Sequence, residues 1–258
     1  MSERNPDPSS RVIILIGLVV LGLLIAGGVV AWGLSHGFGP QKKETQSQTY
    51  TDAVTAIDIH SDSGEVTIKA GAEGEIKVER TLHWYNTKPK VDEKFEGTTF
   101  KVYDDQNCNC GIDYVITVPK SVSAKLDIDS GDLSIEGVTG AVDVTADSGN
   151  VTLEDLPGAL TINASSGDIR GDRLSGATAT VTASSGSVNL TFTTAPSSLD
   201  LNVDSGDVDV TVPNVAEGYK TNVKADSGDV DTDGLTKNDS SARSITIDVD
   251  SGNVTVKS

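Results

Sequence analysis

The sequence predicts an all-β solenoid that is built from short stacked coils. Ser-Gly pairs recur through the C-terminal half of the chain, each between two stretches in which apolar and polar residues alternate. A recurring unit of this length is typical of repeat architectures, in which each unit buries its apolar face against its neighbours. Aromatic residues make up only 4% of the chain, which suits a thin interior of small aliphatic side chains. The pairs begin at Ser130, Ser148, Ser166, Ser185, Ser205, Ser227 and Ser251, with an eighth copy at Ser63.

The unit from Ala141 to Gly158 shows how one coil would be built. Valine and alanine alternate with Asp and Thr before the Ser-Gly pair, and Val151 and Leu153 alternate with polar residues after it. A period of two places the apolar residues on one face of each strand and the polar residues on the other. Gly149 can adopt the positive φ that a sharp turn requires. Each unit is therefore predicted as two short strands and two corners.

Antiparallel hairpins would satisfy the same alternation. In a hairpin, Asp129 would lie opposite Asp132, and like charges at opposite positions destabilise a sheet. Ser-Gly also differs from the Asn-Gly and Asp-Gly pairs that are typical of two-residue hairpins. We therefore predict stacked coils, about seven to eight of them at about 4.8 Å each, and an antiparallel sandwich is the alternative.

The chain upstream of the repeats divides into segments of different composition. Residues 1–11 form a short N-terminal tail, and residues 12–34 contain no charged side chain. About 20 apolar residues span the hydrocarbon core of a bilayer, so residues 12–34 are predicted as an uncleaved transmembrane helix. Residues 35–49 are predicted as a flexible linker because they are rich in Gly, Gln, Ser and Thr. Residues 50–119 alternate less regularly and are predicted as a β cap with the first coils, ahead of the regular repeats in residues 120–258.

The charges that flank the predicted helix do not set its orientation. Arg4 and Arg11 precede it, and Lys42 and Lys43 follow it, so the count of positive charges is a tie. The short tail and the acidic, Ser/Thr/Gly-rich repeats favour a C-terminal domain outside the cytoplasm. We therefore expect a single-pass protein of the plasma membrane with an extracytoplasmic repeat domain.

The formal net charge is −18 at pH 7. Nucleic-acid binding needs a basic stripe, so nucleic acid is excluded as a partner. A strongly acidic surface attracts cations and basic proteins instead. The expected partners are the membrane, through the N-terminal helix, together with envelope polysaccharide or other surface proteins.

Stacked corners would align Asp residues in two columns and make them candidate calcium ligands. Asp204 and Asp226 precede a Ser-Gly pair, whereas Asp207 and Asp229 follow one. Carboxylates one coil apart repel each other, and a hard cation with oxygen ligands would relieve that repulsion. The nonapeptide repeat of calcium-binding β-rolls is absent, however, so solvated carboxylates without a metal are the expected state.

Residues suited to catalysis or zinc binding are scarce. His36, His60 and His83 are the only histidines, and none lies in the regular repeats, so we expect no catalytic residue and no cofactor. Cys108 and Cys110 are too few for a zinc site. A local disulfide between them, free thiols and an intermolecular bridge all stay open.

The repeats resemble a bacterial family known as "putative adhesin", a domain of unknown function with β-strand repeats of the S-G-D-V-x-V kind. The resemblance covers about residues 53–257 and implies a right-handed β-solenoid, which in this family often follows an N-terminal membrane span. It supplies no catalytic residues. The matching segments are Asp129-Ser130-Gly131-Asp132-Leu133, Ser166-Gly167-Asp168-Ile169, Asp204-Ser205-Gly206-Asp207-Val208, Asp226-Ser227-Gly228-Asp229-Val230 and the strand Asp113-Tyr114-Val115-Ile116-Thr117-Val118-Pro119.

The leading functional hypothesis is a non-enzymatic, membrane-anchored protein of the cell envelope that presents a repeat β-solenoid outside the cell, in an adhesin-like role. The alternative is an exterior sensory or regulatory partner of another membrane protein. A carbohydrate-active β-helix enzyme is the third hypothesis, because parallel β-helices can carry carboxylate pairs that cleave glycosidic bonds. The short tail of residues 1–11 offers no cytoplasmic domain for signalling, which favours presentation.

Overall fold

The computed structural model describes residues 40–104 and 108–258, and these residues form strands and no helix. The all-β prediction is thereby confirmed. The predicted tail and transmembrane helix, residues 1–34, lie outside the described residues. Within the part that is described, no helix has the length and apolar character to cross a bilayer.

The strands follow one another closely along the chain, and most have between four and ten residues. In chain order they are β1 (Lys42–Tyr50), β2 (Ala56–Ser61), β3 (Val66–Gly71), β4 (Ile76–Trp84), β5 (Glu93–Glu96), β6 (Thr99–Asp104), β7 (Cys110–Pro119), β8 (Ser123–Ser130), β9 (Leu133–Glu136), β10 (Val142–Ser148), β11 (Val151–Glu154), β12 (Leu160–Ser166), β13 (Ile169–Leu174), β14 (Thr178–Ser185), β15 (Val188–Phe192), β16 (Ser198–Ser205), β17 (Val208–Thr211), β18 (Lys220–Ser227), β19 (Val230–Asp231), β20 (Ser244–Ser251) and β21 (Val254–Lys257).

The strands form two sheets, one of 11 strands and one of 10. Each Ser-Gly pair connects a strand of the 10-stranded sheet to a strand of the 11-stranded sheet. The strands that flank Ser148-Gly149 do not pair with each other, because β10 pairs in parallel with β8 and β12 while β11 pairs in parallel with β9 and β13. The antiparallel-hairpin alternative is therefore wrong, and each repeat is one coil of a stack.

Equivalent residues of successive coils lie side by side. Val144 pairs with Leu126 on one side and with Ile162 on the other, and all three side chains are buried. Asp143, the next residue in the chain, is exposed. The period of two in the sequence thus becomes columns of aliphatic side chains between the sheets and columns of polar side chains outside.

The described residues form nine coils, which is more than the seven to eight that the Ser-Gly pairs indicated. The additional coil, β6 with β7, has no Ser-Gly pair. The strand register places Gly111 and Ile112 beside Ser63 and Gly64. From end to end, the coils are β6/β7, β2/β3, β8/β9, β10/β11, β12/β13, β14/β15, β16/β17, β20/β21 and β18/β19.

The coils at the two ends of the stack do not follow chain order. The last coil of the chain, β20/β21, lies between β16/β17 and β18/β19, because β20 pairs with both β16 and β18. At the other end, β2/β3 lies between β6/β7 and β8/β9. Neighbours in space at these ends are therefore distant in sequence.

The predicted linker of residues 35–49 needs correction, because its second half is strand β1. Strand β1 pairs with β4 along its whole length, and β4 pairs antiparallel with β7. The composition concealed this strand because its partly buried residues are polar. Gln46 accepts a hydrogen bond from Arg80 at 3.0 Å, and Glu44 accepts one from Lys88 at 2.8 Å. Backbone pairing and polar contacts therefore hold this edge strand without an apolar face.

A buried ion pair and an aromatic cluster close the same end of the stack. Arg80 pairs with Glu93, and the Tyr50 hydroxyl donates to the other carboxylate oxygen of Glu93 at 2.6 Å. Burial, together with the hydrogen bond to Glu93, raises the pKa of Tyr50 above its usual range. Burial lowers the pKa of Arg80, but the hydrogen bond and charge of Glu93 outweigh it and leave that pKa raised. The Tyr50 ring packs against Phe95 and Phe100.

Candidate functional site

The two histidines that the structure describes lie on either side of a single corner, Ser63-Gly64. His60 lies on β2, which enters this corner, and His83 lies on β4 and lines the same cleft as Gly64. Each histidine contacts an aspartate of a neighbouring strand. We call the group of His60, Asp62, His83, Asp113 and Asp129 the Ser63 corner. His36 lies outside the described residues.

His60 is held between two carboxylates on the outer face of the 10-stranded sheet. Its Nδ1 lies 3.3 Å from Asp127 Oδ2, and its Nε2 lies 3.3 Å from Asp62 Oδ1. Its ring stacks on the ring of Tyr103 with a centroid distance of 4.8 Å. The strand register explains this arrangement, because Tyr103, His60 and Asp127 occupy one row across β6, β2 and β8. The imidazole orientation is therefore fixed from three sides.

Metal-ligand atoms converge at this position. His60, Asp62 and Asp129 can each offer one ligand atom, and these atoms all lie within 4.8 Å of one another. Across residues 40–104 and 108–258, this is the one group of three or more His, Cys, Asp or Glu side chains that meets this distance. The His60 and Asp62 side chains are partly buried, whereas Asp129 is exposed.

His83 forms the second half of the Ser63 corner, at the edge of a shallow cleft of about 270 Å³. Its Nε2 lies 2.7 Å from Asp113 Oδ2, while Asp113 Oδ1 accepts a hydrogen bond from the Glu65 amide at 3.1 Å. Tyr85 lines the same cleft. Trp84, next to His83 in the sequence, packs against the core, and the Lys88 ammonium lies 5.5 Å from the centre of its ring. Trp84 thus acts in packing.

A disulfide joins Cys108 to Cys110 beside the same cleft. Ser63 Oγ donates a hydrogen bond to the Cys110 carbonyl at 3.2 Å. This hydrogen bond connects the start of β7 to the Ser63-Gly64 corner.

The four aspartates considered as calcium ligands are not brought together in the pairs that chain order suggested. Asp204 and Asp226 are separated by Asp250, and Asp207 and Asp229 are separated by Asn253, because β20/β21 lies between the two coils. Asp207 Oδ1 instead accepts hydrogen bonds from the Asn253 amide at 2.8 Å and from its side-chain nitrogen at 3.3 Å.

The residues that follow the Ser-Gly pairs form a ladder of hydrogen bonds along the stack. In most steps a side-chain oxygen of one coil accepts a hydrogen bond from the backbone N–H of the next coil. The Asn150 amide donates to Asp132 Oδ1 at 2.8 Å, and the Ser187 amide donates to Asp168 Oδ1 at 2.9 Å. From Asp132 to Asp229 acidic and neutral residues alternate, whereas Glu65, which follows the first Ser-Gly pair, lies beside Asp132. The ladder runs Asp132, Asn150, Asp168, Ser187, Asp207, Asn253, Asp229 in spatial order.

Comparison with known proteins gives a family and a fold. A family model described as Toastrack DUF4097 matches residues 120–257. No curated protein matches the sequence. The chain is similar to the solved structure of a "putative adhesin" from Bacteroides fragilis NCTC 9343, with 12% identity and a TM-score of 0.53, over 83% of this chain and 97% of that chain.

Two further solved structures cover similar shares of the chain. A "putative cell adhesion protein" from Clostridium sporogenes ATCC 15579 has 14% identity and a TM-score of 0.34, over 84% of this chain and 99% of that chain. A "putative lipid binding protein" from Parabacteroides distasonis ATCC 8503 has 14% identity and a TM-score of 0.41, over 82% of this chain and 94% of that chain. Identities this low bear on the fold alone, and of these three structures only the Bacteroides one has a TM-score above one half.

Proposed function

The chain belongs to the Toastrack DUF4097 family, and from that premise we propose that it is a non-enzymatic, adhesin-like protein that presents its coil stack outside the cell. The similar protein of Bacteroides fragilis is described as a "putative adhesin", which supports this role. We further propose that the stack is a right-handed β-solenoid, since crossover connections between parallel strands of one sheet are right-handed in about 98% of cases.

One surface feature supports contact with a polymer more than any other. The outer face of the 10-stranded sheet carries, in its central coils, a block of exposed neutral side chains that we call the threonine face. Parallel, in-register pairing places equivalent members in rows about 4.8 Å apart. Each member offers a hydroxyl or an amide that both donates and accepts hydrogen bonds. The members are Thr145, Thr161, Asn163, Thr180, Thr182 and Asn202.

The threonine face is bordered by charged residues at both ends. Lys125 and Asp143 lie beside it towards β8, and Asp248 and Lys224 lie beside it towards β18. A neutral array of hydrogen-bonding groups suits an uncharged polysaccharide, because the strongly acidic surface around it would repel an acidic one. Each contact would be weak, and repetition along the stack would supply the affinity. We therefore assign envelope polysaccharide as the ligand class of this face.

Substitution on the threonine face should weaken retention by purified envelope polysaccharide. Thr182→Arg places a long charged side chain in the centre of the array, and we expect the affinity to fall roughly tenfold, equal to about 1.4 kcal/mol. Asn189→Arg is the matched control, because Asn189 is exposed in the same coil but on the other sheet. Co-sedimentation of the full chain with the insoluble polysaccharide measures both. Equal losses for the two variants, or no retention of the native chain, would contradict the assignment.

Residues 12–34 anchor the protein in this proposal, and the seven residues from 35 to 41 connect them to β1. Seven residues span at most about 25 Å, so the Ser63 end of the stack would face the membrane and the β18/β19 end would point away from it.

The full chain should therefore stay in the membrane pellet after a carbonate wash, whereas a chain without residues 12–34 should be released. Protease added to intact cells should remove the chain beyond Gln41. Protection until lysis would show the opposite orientation.

A further inference from the structure

Three aspartates lie in consecutive coils at the Ser63 end of the stack. Asp62, Asp129 and Asp147 each precede a Ser-Gly pair, and the register of β2, β8 and β10 makes them neighbours. Neighbouring coils are about 4.8 Å apart, so these like charges repel one another. Ser165 Oγ donates to Asp147 Oδ1 at 3.3 Å, which stabilises one end of the row. At the other end, Asp62 and Asp129 converge with the His60 imidazole.

We propose that His60, Asp62 and Asp129 bind a divalent transition-metal ion, with Zn²⁺ as the reference ion. The donor set combines an imidazole nitrogen with carboxylate oxygens, which suits Zn²⁺ and related ions, whereas Ca²⁺ takes oxygen ligands alone. The three ligand atoms lie within 4.8 Å of one another, so an ion between them needs only small side-chain movements. Three protein ligands leave a fourth position for water or for a group of a partner molecule.

The surroundings of His60 carry a second and independent feature of metal sites. A histidine that binds a metal almost always donates its other ring N–H to a carboxylate or carbonyl group. Asp127 Oδ2 lies 3.3 Å from His60 Nδ1, on the side of the ring away from Asp62. Asp127 therefore stabilises the tautomer that leaves Nε2 free to bind an ion. The stacked Tyr103 ring restricts the remaining rotation of the imidazole.

The opposite end of the stack provides an internal control. Asp204, Asp250 and Asp226 also occupy three consecutive coils at the same column position. The row across the 10-stranded sheet that contains His60 and Asp127 at the Ser63 end contains Asp248 and Lys224 at the opposite end. No imidazole lies at that end of the row. The two ends thus share the row of carboxylates and differ in the nitrogen donor. A metal ion held by the proposed site should distinguish them, whereas general attraction of cations to carboxylates should not.

Calorimetric titration of the metal-free full chain, purified in detergent, tests the proposal. Zn²⁺ should bind with a stoichiometry of one, and Ca²⁺ in excess should not displace it. His60→Gln or Asp129→Asn should lower the affinity at least roughly a hundredfold, and Asp127→Asn roughly tenfold, the range typical of residues that orient a ligand. Asp250→Asn, which removes an equivalent carboxylate at the far end, should leave the affinity unchanged. Substitution with Co²⁺ should give visible absorption bands that are lost in Asp129→Asn.

Two results would overturn the proposal. One is the absence of stoichiometric Zn²⁺ binding at concentrations well above micromolar. The other is a pattern of Zn²⁺ affinities that indicates general attraction of the ion to carboxylates. Asp250→Asn would then lower the affinity as much as Asp129→Asn does, or His60→Gln would leave the affinity unchanged. Asp129 is exposed, so Asp129→Asn keeps the fold and allows a decision even if His60→Gln is destabilised. The outcome is independent of polysaccharide binding, since the threonine face lies in other coils.

Discussion

Replacing Gly149 with alanine should destabilise the coil stack by about 2–5 kcal/mol. Gly149 has a φ of 115°, a conformation that side-chain-bearing residues rarely adopt. A Cβ atom built on it would also overlap the carbonyl oxygen of Gly131 in the neighbouring coil, well inside the 3.0 Å that Cβ atoms essentially never cross. The unfavourable φ and the overlap both involve backbone atoms, and these atoms cannot move aside without separating the coils.

Two other glycines allow the costs to be separated. Gly234 has a φ of 84° and nothing within 4 Å of a built Cβ, so Gly234→Ala should cost only the backbone strain, about 1 kcal/mol. Gly158 has an ordinary φ, but its Cβ would overlap the carbonyl oxygen of Gly140, so Gly158→Ala measures the overlap alone. Urea unfolding followed by circular dichroism compares the three variants. If Gly149→Ala unfolds at the same urea concentration as Gly234→Ala, the close approach of the coils costs nothing.

The same glycines explain why the repeats could be recognised from the sequence. The Ser-Gly turn must recur because most turn glycines lie against the turn glycine of a neighbouring coil, as Gly167 does against Gly149. The alternation around each turn is equally local, and it placed Val144 and Leu153 correctly in the interior. Local periodicity thus predicted the strands, their buried faces and the stacking of coils.

Coil order at the ends could not be predicted in the same way. The spacing between Ser-Gly pairs gives the length of each unit but does not show which units are neighbours in the stack. Chain order alone therefore predicts that the Ser251 coil follows the Ser227 coil at the end of the stack. The structure places Asn253 between Asp207 and Asp229 instead. That order keeps the two carboxylates apart and lets Asn253 accept from the Asp229 amide at 3.1 Å. The alternation of acidic and neutral residues along the ladder agrees with this order, but it can be recognised in the sequence only after the order is known.

The Ser63 corner joins residues from distant parts of the chain, and no short motif marks it. His60 and Asp127 are 67 residues apart, and they meet because β2 lies next to β8. Alignment of the Ser63 unit with the Ser130 unit would have placed Asp62 beside Asp129 and His60 beside Asp127. The less regular alternation around Ser63 predicts a cap and gives no indication of a metal ligand at this position.

Replacing Val144 with aspartate should be far more damaging than replacing its neighbour Asp143 with alanine. Val144 is 0% exposed and lies between Leu126 and Ile162, so an aspartate there would have no partner for its carboxyl group. Burial of an unpaired charge, or of the protonated acid in its place, costs several kcal/mol, and we expect about 4 kcal/mol or more. Asp143 is exposed, so Asp143→Ala should change the stability by no more than about 0.5 kcal/mol.

Because each coil is stabilised by its two neighbours, the effect of Val144→Asp should extend beyond β10. The coils of β8/β9 and β12/β13 both contact the substituted position, so hydrogen exchange should accelerate in all three coils and less in β18/β19, at the far end. Val144→Ala serves as the milder variant if Val144→Asp does not fold, and it should still destabilise more than Asp143→Ala. Equal thermal shifts for Val144→Ala and Asp143→Ala would mean that the assigned inner and outer faces of β10 are reversed.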